Sequence, residues 1–185
     1  MAIFKSYETT RSRKAEIVEA KSVSQSRTVK AMLVLPPYSN ALGTMFGGAV
    51  MNYIDDIASI SAFRHARQQV VTASTDSVDF LWPINVGQMI CLESFVTWTH
   101  KTSMEVYVNV VSEDLKTGKR RICASSFLTF VAIDEQGHTL EVPPIVPDTD
   151  FEKELHRTAP ARFERRMERR NESKQLAGKF PIRRL

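Results

Sequence analysis

The 185-residue chain has little of what several common chemistries need. It carries two cysteines, Cys91 and Cys123, both inside apolar, strand-like runs and without CxxC spacing. That excludes a disulfide scaffold and a thiolate metal site, and it fits free thiols in a reducing compartment. Four histidines, His65, His100, His138 and His156, are scattered with no ligand spacing, so no metal site is expected. His138 and His156 read as surface residues. There is no GxSxG elbow and no P-loop, which sets aside the hydrolase serine and the nucleotide-cradling lysine. No apolar run is long enough to span a bilayer, and none near the first residues has signal-peptide length. A cytoplasmic protein without membrane insertion is expected.

What is present is an ordinary globular composition, with 43% hydrophobic residues. This length can bury a core as one domain without staples. The net charge of +4 is unevenly placed. Phe151 to Leu185 holds 11 Lys/Arg against 5 Asp/Glu, while the rest holds 14 against 16. The basic character therefore belongs to the tail. An anionic partner there competes with a plain solvated helix face. The interleaved Glu164, Glu168 and Glu172 favour the solvated helix, so no nucleic-acid partner is expected.

Residues before about Val23 show no clear period and read as an arm. Arg27 to Leu35 alternates Val29, Ala31, Leu33 and Leu35 against Thr28 and Lys30, a half-buried strand ended by Pro36-Pro37. From Phe46 to about Ala66 the period becomes helical. Val50, Ile54, Ile57, Ala58, Ser61 and Ala62 share one stripe. Val70 to Trp82, Gln88 to Thr99, Ser103 to Ser112 and Arg121 to Ile133 read as strands. Short turns at His100-Lys-Thr and Lys116-Thr-Gly-Lys predict an antiparallel meander of four strands, and the long helix is the one element able to cover its apolar face. In the tail, Asp148 is a candidate helix cap. Pro160 is expected to break or restart the helix, and the arginines Arg162, Arg165, Arg166, Arg169 and Arg170 are expected to point outward.

The chemistry-bearing stretch is the loop from Asn40 into Gly47-Gly48 and the helix with Asp55 and Asp56. Glycines at a helix start let a substrate approach the backbone, and free N–H groups backed by the helix dipole suit an oxyanion. Losing one such donor typically costs about 2.7–4 kcal/mol of barrier. Asp55 lies about 12 Å along the axis from Gly47, too far for both to grip one atom within one chain. A carboxylate in an apolar groove suits a base that activates water. The alternative is that Asp55 or Asp56 pairs with Arg64 or a nearby loop, and composition leaves both readings open.

The order strand, long helix and four strands, with Asn40…Met45-Phe-Gly-Gly48…Ile54-Asp55, resembles the hotdog-fold acyl-CoA thioesterases, both the bacterial acyl-CoA hydrolases and the cytosolic brain-type enzyme of animals. Val71-Thr-Ala-Ser-Thr-Asp-Ser-Val-Asp-Phe80, Pro83, Gly87, Thr102-Ser-Met-Glu-Val106 and Thr129-Phe-Val-Ala132 carry the same resemblance over about residues 25–145. It implies an α+β hotdog fold, a long central helix wrapped by a five-stranded antiparallel sheet. The expected division is an arm at 1–24, the hotdog domain at 25–145 and a basic helical tail at 146–185. It further implies hydrolysis of fatty acyl-CoA to fatty acid and CoA with no cofactor, by a homodimer that assembles further as a trimer of dimers. Asp55 would activate water or act as nucleophile, Asn40 would come from the partner subunit, and the Gly47 and Gly48 amides would hold the oxyanion. Arg64, His65, Lys101, Thr102 and Ser103 are the candidates for binding CoA. His100 departs from the family's usual glycine. A non-catalytic acyl-CoA sensor on the same fold is the alternative, disfavoured by a charge that simple binding of an apolar chain does not need. A hotdog dehydratase lacks its histidine base here.

Overall fold

The structure is a computed structural model that describes residues 19–181, so most of the arm expected at residues 1–24 lies outside the described residues. The elements are β1 (Lys21–Ser22), β2 (Thr28–Leu33), α1 (Gly47–Ala66), β3 (Gln69–Phe80), β4 (Met89–Thr99), β5 (Ser103–Glu113), β6 (Arg120–Ile133), β7 (Ile145–Val146) and α2 (Asp150–Lys179). Among the described residues no helix is long and apolar enough to cross a membrane.

The helical period places α1 correctly. Val50, Ile54, Ile57, Ala58, Ser61 and Ala62 are all buried, packed against the inward residues of the sheet such as Leu92, Met104, Val106, Val108 and Phe130. The helix ends at Arg67, whose left-handed φ of 55° lets its N–H reach the Phe63 carbonyl at 2.8 Å, the αL closure common at helix ends.

The sheet has five antiparallel strands in the order β2-β4-β5-β6-β3. This corrects the expected four-strand meander. β4, β5 and β6 do form one, but β3 lies at the far edge against β6, and β2 takes the free edge of β4. The connection from β3 to β4 does not fold back as a hairpin. It crosses the start of α1, where Ile84 O accepts the Met45 N–H at 2.7 Å, and Leu81 N–H donates to Cys123 O at 2.8 Å.

The alternation of β2 is real, but its apolar set faces outward: Val29 and Leu33 are exposed while Thr28 is buried. Hydroxyl pairing decides the inward side. Thr28 Oγ1 accepts from Ser61 Oγ at 3.1 Å, Ser61 and Ser94 hydroxyls lie 2.6 Å apart, and Ser94 Oγ donates to the Ile57 carbonyl at 3.0 Å. Such a satisfied polar seam between helix and sheet is specific, because any unpaired member would carry its full desolvation cost.

The tail departs most from expectation. The cap of α2 is Thr149, in a capping box with Glu152, and Asp148 instead accepts from Ser22 and Ser24. Pro160 lies inside one continuous 30-residue helix. Carbonyls of the preceding turn find side-chain donors: Thr158 Oγ1 donates to Glu154 O at 2.8 Å, and Arg162 Nη2 donates to Leu155 O at 2.5 Å. Three of the arginines turn inward onto the outer face of the sheet. Arg162 makes a two-point pair with Glu105 at 2.7 and 2.9 Å, Arg166 donates to Thr129 at 2.5 Å, and Arg169 reaches Asp76 at 2.7 Å. Phe163 stacks on His100 and meets Trp98 at a tilt beside them. These arginines turn inward because the outer face of the sheet presents carboxylates, and a buried carboxylate needs a cation.

Glu105 is 2% exposed. Glu105→Ala should therefore lower stability by about 3–5 kcal/mol in denaturant titrations, since it strands Arg162 in a mostly buried position.

Candidate active site

α1 supplies the candidate base, and its position in the helix separates the two adjacent carboxylates. Asp56 is spent on Lys30, with which it forms an ion pair. Asp55 has no cationic partner among the described residues and accepts one hydrogen bond, from Thr72 Oγ1 at 2.9 Å. It is half-buried. The pairing with Arg64 that the sequence left open does not occur: Arg64 donates to Arg27 O at 2.5 Å.

Thr72 was not singled out as a site residue from the sequence. The signal was present in the strand parity. Thr72 pairs across the ladder with Phe130, whose side chain is buried under α1, so Thr72 shares the helix side of β3.

The amino end of α1 is open. Its cap residue, Phe46, makes no side-chain cap bond. The Ala49 and Val50 amides bond back to Phe46 O at 2.9 and 3.1 Å, leaving the Gly47 and Gly48 amides unpaired among the described residues. A Cβ on Gly48 would meet the Phe46 ring at 2.6 Å, so a side chain here would have to displace that exposed ring. Helix N-termini of this kind present donors and a partial positive charge to an anion. An apolar hollow lined by Met45, Val50, Phe80, Leu81, Trp82, Pro83 and Ile84 adjoins them.

Asn40 organises the loop before this end. Its Oδ1 accepts from the Leu42 amide at 2.9 Å and the Thr44 amide at 3.3 Å, and its Nδ2 donates to Thr44 Oγ1 at 2.9 Å. This Asx-type turn holds the loop against the strand-like connection at Asn85.

The candidates for CoA lie at the other end of the helix. Lys101 O accepts from Val142 N–H at 3.0 Å, Thr102 O accepts from Ala132 N–H at 3.1 Å, and Ser103 O accepts from His100 N–H at 2.9 Å. Lys101 is exposed, and Thr102 and Ser103 are half-buried. His65 is wholly buried, with Nε2 2.8 Å from Pro143 O. This removes it from a ligand-facing role in the protomer. At 20 residues, α1 spans about 30 Å, so one chain does not gather Asn40, Asp55 and the Lys101 turn around one small group.

A five-stranded antiparallel sheet wrapped on one long helix is the architecture of the hotdog fold, and here that helix carries an unpaired carboxylate at mid-length and bare amides at its start. The sequence pattern of the thioesterase superfamily matches residues 42–119. The chain is 51% identical over 162 residues to the acyl-CoA thioester hydrolase YkhA of Bacillus subtilis, covering 88% of this chain and 94% of that one. It superposes on the acyl-CoA hydrolase of Staphylococcus aureus, solved with butyryl-CoA, CoA and CoA disulfide, with a TM-score of 0.83 and 46% identity over 86% of this chain and 98% of that one. A hexameric acyl-CoA thioesterase solved without ligand is 53% identical, with a TM-score of 0.81 over 82% of this chain and 97% of that one. The chain belongs to the hotdog-fold acyl-CoA thioesterase family. The S. aureus enzyme has been solved with alanine in place of an asparagine, an aspartate and a threonine that lie 15 and 17 residues apart in turn, the spacing of Asn40, Asp55 and Thr72.

Burial holds the His65 imidazole below its ordinary value of 6.5, with the nearby Lys21 adding to the effect against the Pro143 hydrogen bond. A depressed histidine leaves the unfolded chain binding the proton first, so stability is complete above about pH 6.5 and falls as pH drops below it. His65→Leu should flatten that part of the stability curve, measured by urea unfolding at stepped pH.

Proposed function

We propose that this chain hydrolyses fatty acyl-CoA thioesters to the free acid and CoA, in sites shared between two copies, without a cofactor. The observation that carries this reading is the state of Asp55: a half-buried carboxylate with no cation beside it, held by one hydroxyl and placed on an otherwise apolar helix.

Asp55 takes a proton from water as the water oxygen bonds to the thioester carbonyl carbon. Thr72 holds the carboxylate in the orientation that this transfer needs. Charge moves to the carbonyl oxygen, where the amides of Gly47 of the partner subunit and Gly48 of the partner subunit stabilise it. Asn40 of the partner subunit positions the water or polarises the carbonyl. The C–S bond then breaks, and the leaving sulfur takes the proton from Asp55. The acyl chain lies along the apolar flank of α1, and the CoA phosphates meet Arg64 and Lys101 with Thr102 and Ser103 nearby.

Two features of the protomer support a shared site. The flank of α1 turned away from the sheet is apolar and exposed at Met51, Ile60 and Phe63, a patch that a second copy would cover. The 12-residue β3 has no strand on its outer side among the described residues, so two copies can continue one sheet through it. A two-fold axis there runs the two α1 helices in opposite directions, which brings the glycine end of one toward the Lys101 end of the other. Assembly of such dimers into a trimer of dimers would follow the hexameric relatives.

The test is complementation. Asp55→Asn and Asn40→Ala should each lower kcat on a medium-chain acyl-CoA by about 100-fold or more, as loss of a base or positioning group does. Mixing and reassembling the two inactive variants should restore about one quarter of the parental rate, because a mixed dimer regains one intact site of two and forms half of the time. Turnover within a few-fold of the parent for Asp55→Asn would remove it as the base, and absence of recovery would mean that each site is built from one chain.

A further inference from the structure

The basic C-terminal helix has an unexplained length. α2 crosses the outer face of the sheet strand by strand: Glu152 pairs with Arg27 at the β2 edge, His156 meets Thr97 O of β4 at 2.9 Å, Arg162 meets Glu105 of β5, Arg166 meets Thr129 of β6, and Arg169 meets Asp76 of β3. By Arg169 the sheet of this copy has ended. Yet the helix runs on to Lys179, about 15 Å further. Every residue from Met167 to Pro181 is exposed.

The sheet-facing stripe does not end with the sheet. Its contacts fall at 152, 155, 159, 162, 166 and 169, alternating steps of three and four. The same steps reach Ser173, Leu176 and Phe180. Leu176 is 68% and Phe180 73% exposed, so the overhang carries an apolar face with no surface beneath it.

We infer that this overhang is built to lie on a second copy of the chain, across the seam where two β3 edges meet; the inference rests on the pairing through β3 proposed above. Asp76 stands close to the middle of β3, which runs from residue 69 to 80. If the two edges pair along their length, α2 crosses about 5 Å from the two-fold axis. The two copies of α2 then pass antiparallel about 10 Å apart, the spacing at which helices pack side by side. Each overhang reaches the outer face of the other copy on the opposite side of the axis from Asp76. The apolar surface waiting there is Val71 and Val131 of the partner subunit. Within the protomer these two are ladder partners. Val71 lies between Val70 and Thr72, which face α1, so it faces outward, and it is 37% exposed. Leu176 and Phe180 on Val71 and Val131 closes both patches with one contact.

The bulge at Asp76 makes this crossing possible. The β3–β6 register shifts between Thr75 and Ser77, so Asp76 is the extra residue. Such a residue can be re-aimed out of the ladder. It accepts from Arg169, Arg166 and Thr129 together. That anchors the last contact of α2 at the strand that the second copy would join.

The experiment is subunit exchange. Two preparations of the full chain, carrying donor and acceptor dyes, are mixed and energy transfer is followed. Leu176→Glu with Phe180→Glu alters only side chains exposed in the protomer, so folding and kcat on acyl-CoA should stay within two-fold of the parent. Exchange should become at least ten-fold faster. A chain ended after Arg169, which keeps every contact of α2 with its own sheet, should exchange as fast as the double variant. Unchanged exchange, within two-fold, in both variants of a protein that still transfers energy would overturn the overhang contact and leave the shared site standing. A parent chain that sediments as a monomer and shows no transfer would overturn both.

Discussion

The burial of one stripe of α1 in the concave face of the sheet is the constraint on which the remaining geometry depends. Eight residues of α1 are buried there, and full burial of each large aliphatic among them is worth about 1.5–3 kcal/mol. A helix seated this firmly has a fixed rotation. Once Ile54 and Ile57 point into the sheet, Asp55 and Asp56 must emerge on the flank. A step of one residue turns each carboxylate by about 100°, which sends them to different neighbours. One finds Lys30 and forms an ion pair, while the other finds the Thr72 hydroxyl and has no cation beside it among the described residues.

The outer face of the sheet is stabilised by different means. There the strands present Glu105, Asp76, Thr129 and Thr97, a polar surface that cannot be closed by aliphatic packing. α2 closes it with arginines whose guanidinium forks match the carboxylates. The Arg162 guanidinium also lies 4.2 Å from the centre of the Phe127 ring, and that of Arg166 lies 4.9 Å from that of Phe163. The excess positive charge of the tail is thus partly a complement to acids on the sheet. A count of charges along the chain cannot show this, because the partners sit 57 to 93 residues away.

The same distinction explains what was legible in the sequence. Local period and local chemistry gave α1 its bounds and stripe, placed the turns at His100 and Lys116, and singled out Asn40, Gly47, Gly48 and Asp55. Strand order was not legible, since a connection of eight residues between β3 and β4 serves a hairpin or a crossing equally well. The inward face of β2 was misread because hydroxyl pairing with Ser61 and Ser94 outweighs the preference of Val29 and Leu33 for burial. The continuous α2 is not what the sequence predicts, because proline costs a helix about 3 kcal/mol in isolation, whereas here docking on the sheet offsets it. His65 looked like a ligand residue by its place at a helix end, and only packing shows that it is enclosed.

A charge on an apolar helix flank is stable in one of two ways: a nearby cation, or partial exposure to water with a hydroxyl to orient it. Asp56 uses the first and Asp55 the second, so the neighbouring pair serves as its own internal comparison. Lys30 is engaged by Asp56 and not by Asp55. An ammonium group beside a carboxylate favours its ionised form but weakens it as a proton acceptor. With Lys30 on Asp56, Asp55 is left oriented by Thr72 and without a cation beside it among the described residues, the arrangement that the proposed role as a base calls for. That division of roles depends on the rotation of α1, and the rotation depends on the buried stripe.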